Sequence, residues 1–330
     1  MTDTPSPHLQ SRTSNDHQAS TGNPALETNP DPLVQPSWVA DHLGQDHLRI
    51  IDMRGKVVTR QIAEGVEEAD YLDGRADYLA EHLPGAVYLD WTRDIIDPDD
   101  HVPVQLAPPE RFAAVMSRAG VGPRTTVVIY DQNGGQFATR LWWALRVYGH
   151  PAHRVKVMDG GLDRWKAEGR PTESGPVTVE PESFLVCPNP AWRIDAETLR
   201  NLLGQPHAPR LLDARDPEQF TGAKRRGPRG GHIPGAFNLP RERFFRPADQ
   251  GGGFRPLEEL RQLVAATGLT PDQPVIAYCN GGVAATVALF TLARLGFENL
   301  ANYDGSWNEW GTRNDLPIET GVNPTQTNMI

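Results

Sequence analysis

A chain of 330 residues has room for about two domains at roughly 100–200 residues each, and 38% hydrophobic residues suffice to give each a sizeable core. Its 31 glycines and 30 prolines together stay under the roughly 25–30% that marks a low-complexity chain, which excludes global disorder. A formal net charge of −10 excludes nucleic acid and anionic membrane surfaces as main partners, since both select basic surfaces.

Residues 1–32 are predicted to form a disordered polar tail. Up to position 30 only Met1, Leu9, Ala19, Ala25 and Leu26 are apolar, so no signal-peptide core is expected. A lone Arg12 beside Asp3, Asp16 and Glu27 does not make a transit peptide either. Next come the strand Arg49-Ile50-Ile51-Asp52-Met53-Arg54 and the turn Glu81-His82-Leu83-Pro84-Gly85-Ala86. An amphipathic helix is predicted over 109–119, closed by Gly120, and a buried β-branched strand over 127–131. A Gly-Gly turn then opens a helix over 137–148, and Asp159-Gly160-Gly161 precedes Trp165. Residues 173–190 are proline-rich, which disfavours helix and central strand, and are read as a linker.

The second half repeats the first in the same order. Arg210-Leu211-Leu212-Asp213-Ala214-Arg215 matches the first strand, and Gly231-His232-Ile233-Pro234-Gly235-Ala236 matches the turn. A helix over 257–267 ends at Gly268, a strand spans 275–279, a glycine turn opens a helix over 283–295, and Asp304-Gly305-Ser306 precedes Trp310. Duplication on this scale predicts two α/β domains, 33–172 and 191–322, each a parallel sheet flanked by helices on both faces, with a short tail at 323–330.

Cys187 and Cys279 are the two cysteines. They make at most one disulfide and cannot form a four-cysteine zinc site, so a reducing, cytoplasmic setting is expected. No apolar run approaches the roughly 18 residues of a membrane span. Cys279 ends a buried strand and opens the loop Asn280, Gly281, Gly282, Val283, Ala284 into a helix, where ligands of such sheets bind. Glycines let successive N–H groups converge, and the helix N-terminus adds partial positive charge, a setting for a thiolate or a bound anion. The other reading is an inert core cysteine. Three sharper chemistries fail at this loop. A Cys-x5-Arg phosphatase would need arginine where Ala285 stands, a dithiol oxidoreductase would need cysteine at Gly282, and no nucleotide phosphate loop occurs.

Over about 290 residues the two halves resemble the tandem rhodanese domains of the thiosulfate and mercaptopyruvate sulfurtransferase family. The resemblance rests on Asp213-Ala214-Arg215, the His232 turn, Cys279 with Gly282-Val283, and Tyr303-Asp304-Gly305-Ser306-Trp307-Asn308-Glu309-Trp310. It implies that Cys279 is the catalytic nucleophile and that the first half lacks one, with Asp131 at the matching place. It further implies double displacement through a persulfide, with cyanide, a thiol or thioredoxin as acceptor of the sulfur, and no metal or organic cofactor.

His82 and His232 occur in both halves, one of which has no cysteine, so a structural role is expected for them. Asp213 and Arg215 are likewise read as a buried brace, Trp307 and Trp310 as core or interface, Cys187 as incidental, and Asp131 as a loop-closing acceptor. Lys224-Arg225-Arg226-Gly227-Pro228-Arg229 is the one dense basic run, and the matching family segment carries substrate-binding cations. Mammalian-type members have arginine where this chain has Gln219, so Arg225, Arg226 or Arg229 is expected to replace that clamp. The uncharged loop is unlike the Cys-Arg-Lys-Gly form associated with thiosulfate, and Gly282-Val283 resembles the mercaptopyruvate form, yet Gly281 stands where that form has serine and Gln219 where it has the carboxylate-clamping arginine. With those fixed clamps missing, a flexible basic loop is expected to favour the small dianion thiosulfate, ahead of 3-mercaptopyruvate. A tandem pair of such domains could also act as a non-catalytic interaction module.

Overall fold

The computed structural model describes residues 31–321 other than Asn133, so the expected tails lie, but for Asp31 and Pro32, outside the described residues. The first half contains, in order, β1 (Leu33–Val34), α1 (Pro36–His42), β2 (Leu48–Asp52), β3 (Gly55–Ala63), β4 (Val66–Asp73) and α2 (Arg75–Ala80). It continues with β5 (Val87–Tyr88), α3 (Pro109–Arg118), β6 (Thr126–Tyr130), α4 (Gln136–Val147), β7 (Val155–Met158) and α5 (Gly161–Ala167). After an extended stretch follow β8 (Arg193–Ile194), α6 (Ala196–Leu202), β9 (Arg210–Asp213), α7 (Pro217–Thr221), β10 (Arg225–Arg226) and β11 (Phe237–Asn238). The chain closes with α8 (Leu257–Ala265), β12 (Val275–Tyr278), α9 (Ala285–Arg294), β13 (Leu300–Tyr303) and α10 (Ser306–Trp310).

The two main sheets share one topology. The first runs β1-β7-β6-β2-β5 and the second β8-β13-β12-β9-β11, every pair parallel. Parallel strands are buried on both faces, which is why they read as unbroken apolar runs. Side chains alternate accordingly: Ile51, Val127 and Ile129 enter one core, while Ile50, Val128 and Tyr130 enter another on the far face. Leu212, Val275 and Ala277 of the second sheet join the first of these cores, which therefore runs continuously from one domain into the other. At its centre α4 packs on α9, with the Thr139 and Thr286 hydroxyls 2.9 Å apart. Duplication extends to single bonds, since Tyr130 Oη accepts from the Leu83 amide at 3.2 Å and Tyr278 Oη from the Ile233 amide at 3.1 Å.

One element breaks the symmetry. β3 and β4 form an antiparallel hairpin where no strand is expected from the sequence, turning at Gly65 with φ +65°. β10 of the second domain adds to this hairpin in parallel, setting Arg226 directly opposite Glu67. The resulting three-stranded sheet belongs to both domains and carries one wall of the site.

Candidate active site

β12 is buried along its whole length and delivers Cys279, 4% exposed, at its carboxyl end. The start of α10 pins the loop that follows. The Cys279 amide donates to Ser306 Oγ at 3.1 Å, the Trp307 amide to the Cys279 carbonyl at 3.0 Å, and the Asn308 amide to the Asn280 carbonyl at 2.7 Å. Glycine is required twice here. Gly282 has φ +69°, and a Cβ on it would lie 2.7 Å from the Asp304 carbonyl oxygen; one on Gly281 would lie 2.6 Å from Val104 Cγ2.

Among the described residues no carbonyl or side chain accepts from the amides of 280–285, which lead into the N-terminus of α9. The same place in the first domain is engaged differently. There Asp131 accepts from the amides of Gly135 at 2.9 Å, Phe137 at 3.0 Å and Ala138 at 3.3 Å. A carboxylate belonging to the chain thus holds the first loop closed, as expected for Asp131. Beside Cys279 the amides face no such internal anion, and the dipole of α9 favours negative charge there.

Cys279 opens onto a cavity between the domains. The hairpin supplies Val57, Thr59 and Tyr71, the rest of the first domain Trp91, Val104 and Gln136, and the second domain Gln219, Arg226 and Arg241. Asn280, Gly281, Val283 and Ala284 line it with Cys279, whereas Gly282 turns away and gives its carbonyl to Arg140 at 3.1 Å and Asn302 at 2.8 Å. Gln219 is 3% exposed; its Nε2 donates to Glu67 at 3.0 Å and its Oε1 accepts from Asn280 Nδ2 at 2.9 Å. Arg226 reaches the cavity with Nη2 donating to Thr59 Oγ1 at 2.7 Å.

Two of the expected substrate-binding arginines are placed elsewhere. Arg225 does not line the cavity, and its guanidinium turns to the Pro228 carbonyl at 2.6 Å. Arg229 donates to the carbonyls of Gly311 at 3.2 Å, Leu316 at 2.9 Å and Trp310 at 2.5 Å, and also to that of Arg313, so it ties down the end of α10. The histidines are structural in geometry. Nδ1–H of His232 donates to the Phe220 carbonyl at 2.9 Å with the rings stacked at 3.8 Å, and His82 repeats this with Tyr78 at 2.7 Å and 4.1 Å. Asp213 and Arg215 form a buried pair at 2.6 Å; burial works against the charge of the Arg215 guanidinium, but the Asp213 carboxylate outweighs it and pushes the guanidinium's pKa up, and Asp52 with Arg54 is the counterpart at 2.8 Å.

Sequence reasoning misses Arg241, which follows β11 outside any motif, and the hairpin residues, for which the short β-branched run Val57-Val58-Thr59 is the one signal available. Arg140 is missed as well. It is 1% exposed on α4, and besides Gly282 it holds Asp304 Oδ1 at 2.6 Å and the Val104 carbonyl at 2.8 Å. Among the described residues no group of three His, Cys, Asp or Glu side chains is placed to hold a metal ion, and no helix is long and apolar enough to cross a membrane.

A family model for the rhodanese-like domain matches residues 35–168 and again 195–313. The 3-mercaptopyruvate sulfurtransferase of Escherichia coli K12 is 32% identical over 290 residues, covering 87% of this chain and 97% of that protein. The thiosulfate sulfurtransferase of Corynebacterium glutamicum is 34% identical over 324 residues, covering 93% and 96%. The crystal structure of the Escherichia coli 3-mercaptopyruvate enzyme superposes with a TM-score of 0.70 at 30% identity, over 83% of this chain and 98% of that one. With the family's domain present twice in the sequence and the same two-domain arrangement in a solved relative, the chain belongs to the rhodanese family.

Proposed function

We propose that the protein, with domains at 33–172 and 191–322, is a sulfurtransferase that moves the sulfane sulfur of thiosulfate to a thiophilic acceptor through a persulfide on Cys279. The observation that carries this reading is the pairing of a thiol at the cavity floor with a run of unengaged amides at a helix N-terminus. The Cys279 thiolate attacks the outer sulfur of thiosulfate. As the new S–S bond forms, the old one breaks and its electron pair leaves with sulfite. Cyanide then attacks the outer persulfide sulfur, giving thiocyanate and regenerating the thiolate; a small thiol or thioredoxin accepts the sulfur by the same displacement. Splitting the transfer in two lowers each barrier, and the loop amides stabilise the anion in both halves of the cycle.

Arg226 and Arg241 supply positive charge for a dianionic donor, as Gln219 cannot. The Cys279 nucleophile and a thiol acceptor must both be reduced, a state that a reducing cytoplasm keeps available. 3-Mercaptopyruvate is the second reading, favoured by the similarity to the Escherichia coli enzyme. The test is incubation with thiosulfate followed by intact-protein mass spectrometry, in which one added sulfur on the Cys279 peptide is expected, lost in Cys279→Ser and kept in Cys187→Ser. Sulfur on Cys187 refutes the nucleophile. A specificity constant for mercaptopyruvate more than about tenfold above that for thiosulfate refutes the donor.

A further inference from the structure

An anion site is strongest when its cations are unopposed, and here both are paired: Arg241 Nε lies 2.8 Å from Oε1 of its exposed chain neighbour Glu242, and Arg226 faces a carboxylate of the other domain. Glu67, on β4 of the first domain, is the cross-strand partner of Arg226 on β10. Its Oε2 lies 3.7 Å from Arg226 Nε, and Lys224 Nζ lies 3.9 Å from its Oε1. The carboxylate stands behind the cavity wall, with a side-chain exposure of 15%. It also accepts from Gln219 Nε2 at 3.0 Å, which fixes the direction of the amide chain: Gln219 must then present Oε1 to Asn280 Nδ2, the residue next to the cysteine. A reversed Gln219 would set its own oxygen against the carboxylate.

From this placement we propose that Glu67 is a specificity-determining residue which holds down the cavity's affinity for dianions, and so promotes release of sulfite after each sulfur transfer. The inference rests on the reading of thiosulfate as donor. Thiosulfate and sulfite carry the same charge, so a site that clasped the donor more tightly would also hold the product. Tighter binding of both lowers KM without speeding the chemical step. A carboxylate directly opposite the binding arginine weakens both by a similar factor. Because β4 comes from the cysteine-free domain, that domain sets the electrostatics of a site whose nucleophile lies in the other.

The decisive variant is Glu67→Gln, which keeps an acceptor for Gln219 and removes the charge. In the thiosulfate–cyanide assay KM for thiosulfate and the inhibition constant for sulfite should both fall, by about threefold at low salt, and the difference from the parent should shrink at high ionic strength. A purely structural role would raise KM, so an unchanged or higher KM overturns the inference. Calorimetric titration of thiosulfate into Cys279→Ala, with and without Glu67→Gln, reads the same effect without turnover and should show about threefold tighter binding in the double variant. If the parent forms no thiocyanate from thiosulfate, the donor assignment fails. The inference on Glu67 then stands or falls on the calorimetry, where equal, weaker or undetectable binding in the double variant overturns it.

Discussion

Replacing Arg140 by Met tests whether the first domain holds the cysteine loop in place. The guanidinium is fully enclosed, 4.4 Å above the Trp143 ring, and its removal strips the Asp304 carboxylate, 1% exposed, of its closest partner. Asp304 keeps Arg193 at 3.0 Å and the Leu106 amide at 2.9 Å. Breaking a buried ion pair by deleting one side costs roughly 3–5 kcal/mol, and with those two partners left the low end, about 3 kcal/mol, is expected. The Val104 carbonyl loses its bond too. Val104 has φ +60°, a backbone region costly for a β-branched residue, and once untied it can relax away from Gly281. Urea denaturation should therefore show a loss of about 3 kcal/mol, and rapid-quench persulfide formation should slow. Arg140→Met combined with Asp304→Asn should be less destabilised than the sum of the single variants by at least about 1.5 kcal/mol. A loss under about 1 kcal/mol with an unchanged persulfide rate would refute the argument.

Arg226→Gln should raise KM for thiosulfate about tenfold, the effect narrowing with salt, whereas Arg229→Ala should leave KM alone and lower Tm, because it orphans carbonyls at the end of α10; steady-state kinetics beside thermal melts separate the two. Gly281→Ala should cut kcat in the parent, where the new Cβ meets Val104 Cγ2, and regain much of it when combined with Val104→Gly, which keeps the left-handed backbone and clears the methyl group; no recovery would count against the contact. His150, buried and donating from Nε2 to the Thr125 carbonyl at 2.9 Å, is pushed down from 6.5 to about 4 by desolvation. The unfolded chain therefore binds the extra proton first, so stability should fall between pH 6.5 and about 4, by up to roughly 3 kcal/mol, and His150→Gln should flatten that segment of the curve.

The parts of the fold legible in the sequence are those written twice or buried on both faces. Strands β6 and β12 read as apolar runs because both sides are covered, and each Asp-x-Arg pair recurs because the same brace closes each domain. The hairpin has no second copy, and its outer face carries Arg60, Glu68 and Asp70 in exposed pairs, so its pattern resembles a charged loop. The basic run shows a finer limit. β10 is a strand of two residues, and neighbouring side chains on a strand point to opposite faces, so Arg226 enters the cavity and Arg225 cannot. That distinction depends on β10 pairing with β4 of the other domain, which no local composition encodes. Arg140 is silent for the same reason: on α4 it reads as one cation of an apolar helix, and its partners lie on Val104, Gly282 and Asp304, distant in the chain.

Why a domain without a cysteine stays part of the site follows from how each loop satisfies its amides. In the first domain Asp131 closes the loop with a charge the chain itself carries, and burial pushes its carboxyl up even with three amides bound, so this loop is a fixed, inert support. In the second domain Cys279 occupies the matching place and the anion arises only in the reaction. A loop whose amides lack an internal acceptor needs other restraints: α10 of its own domain holds Cys279 and Asn280, and three more come from across the interface, namely Val104 against Gly281, Arg140 on the Gly282 carbonyl, and Glu67 through Gln219 on Asn280. The support of one half and the reactivity of the other are therefore two consequences of a single exchange, carboxylate for thiol, at the end of the same strand.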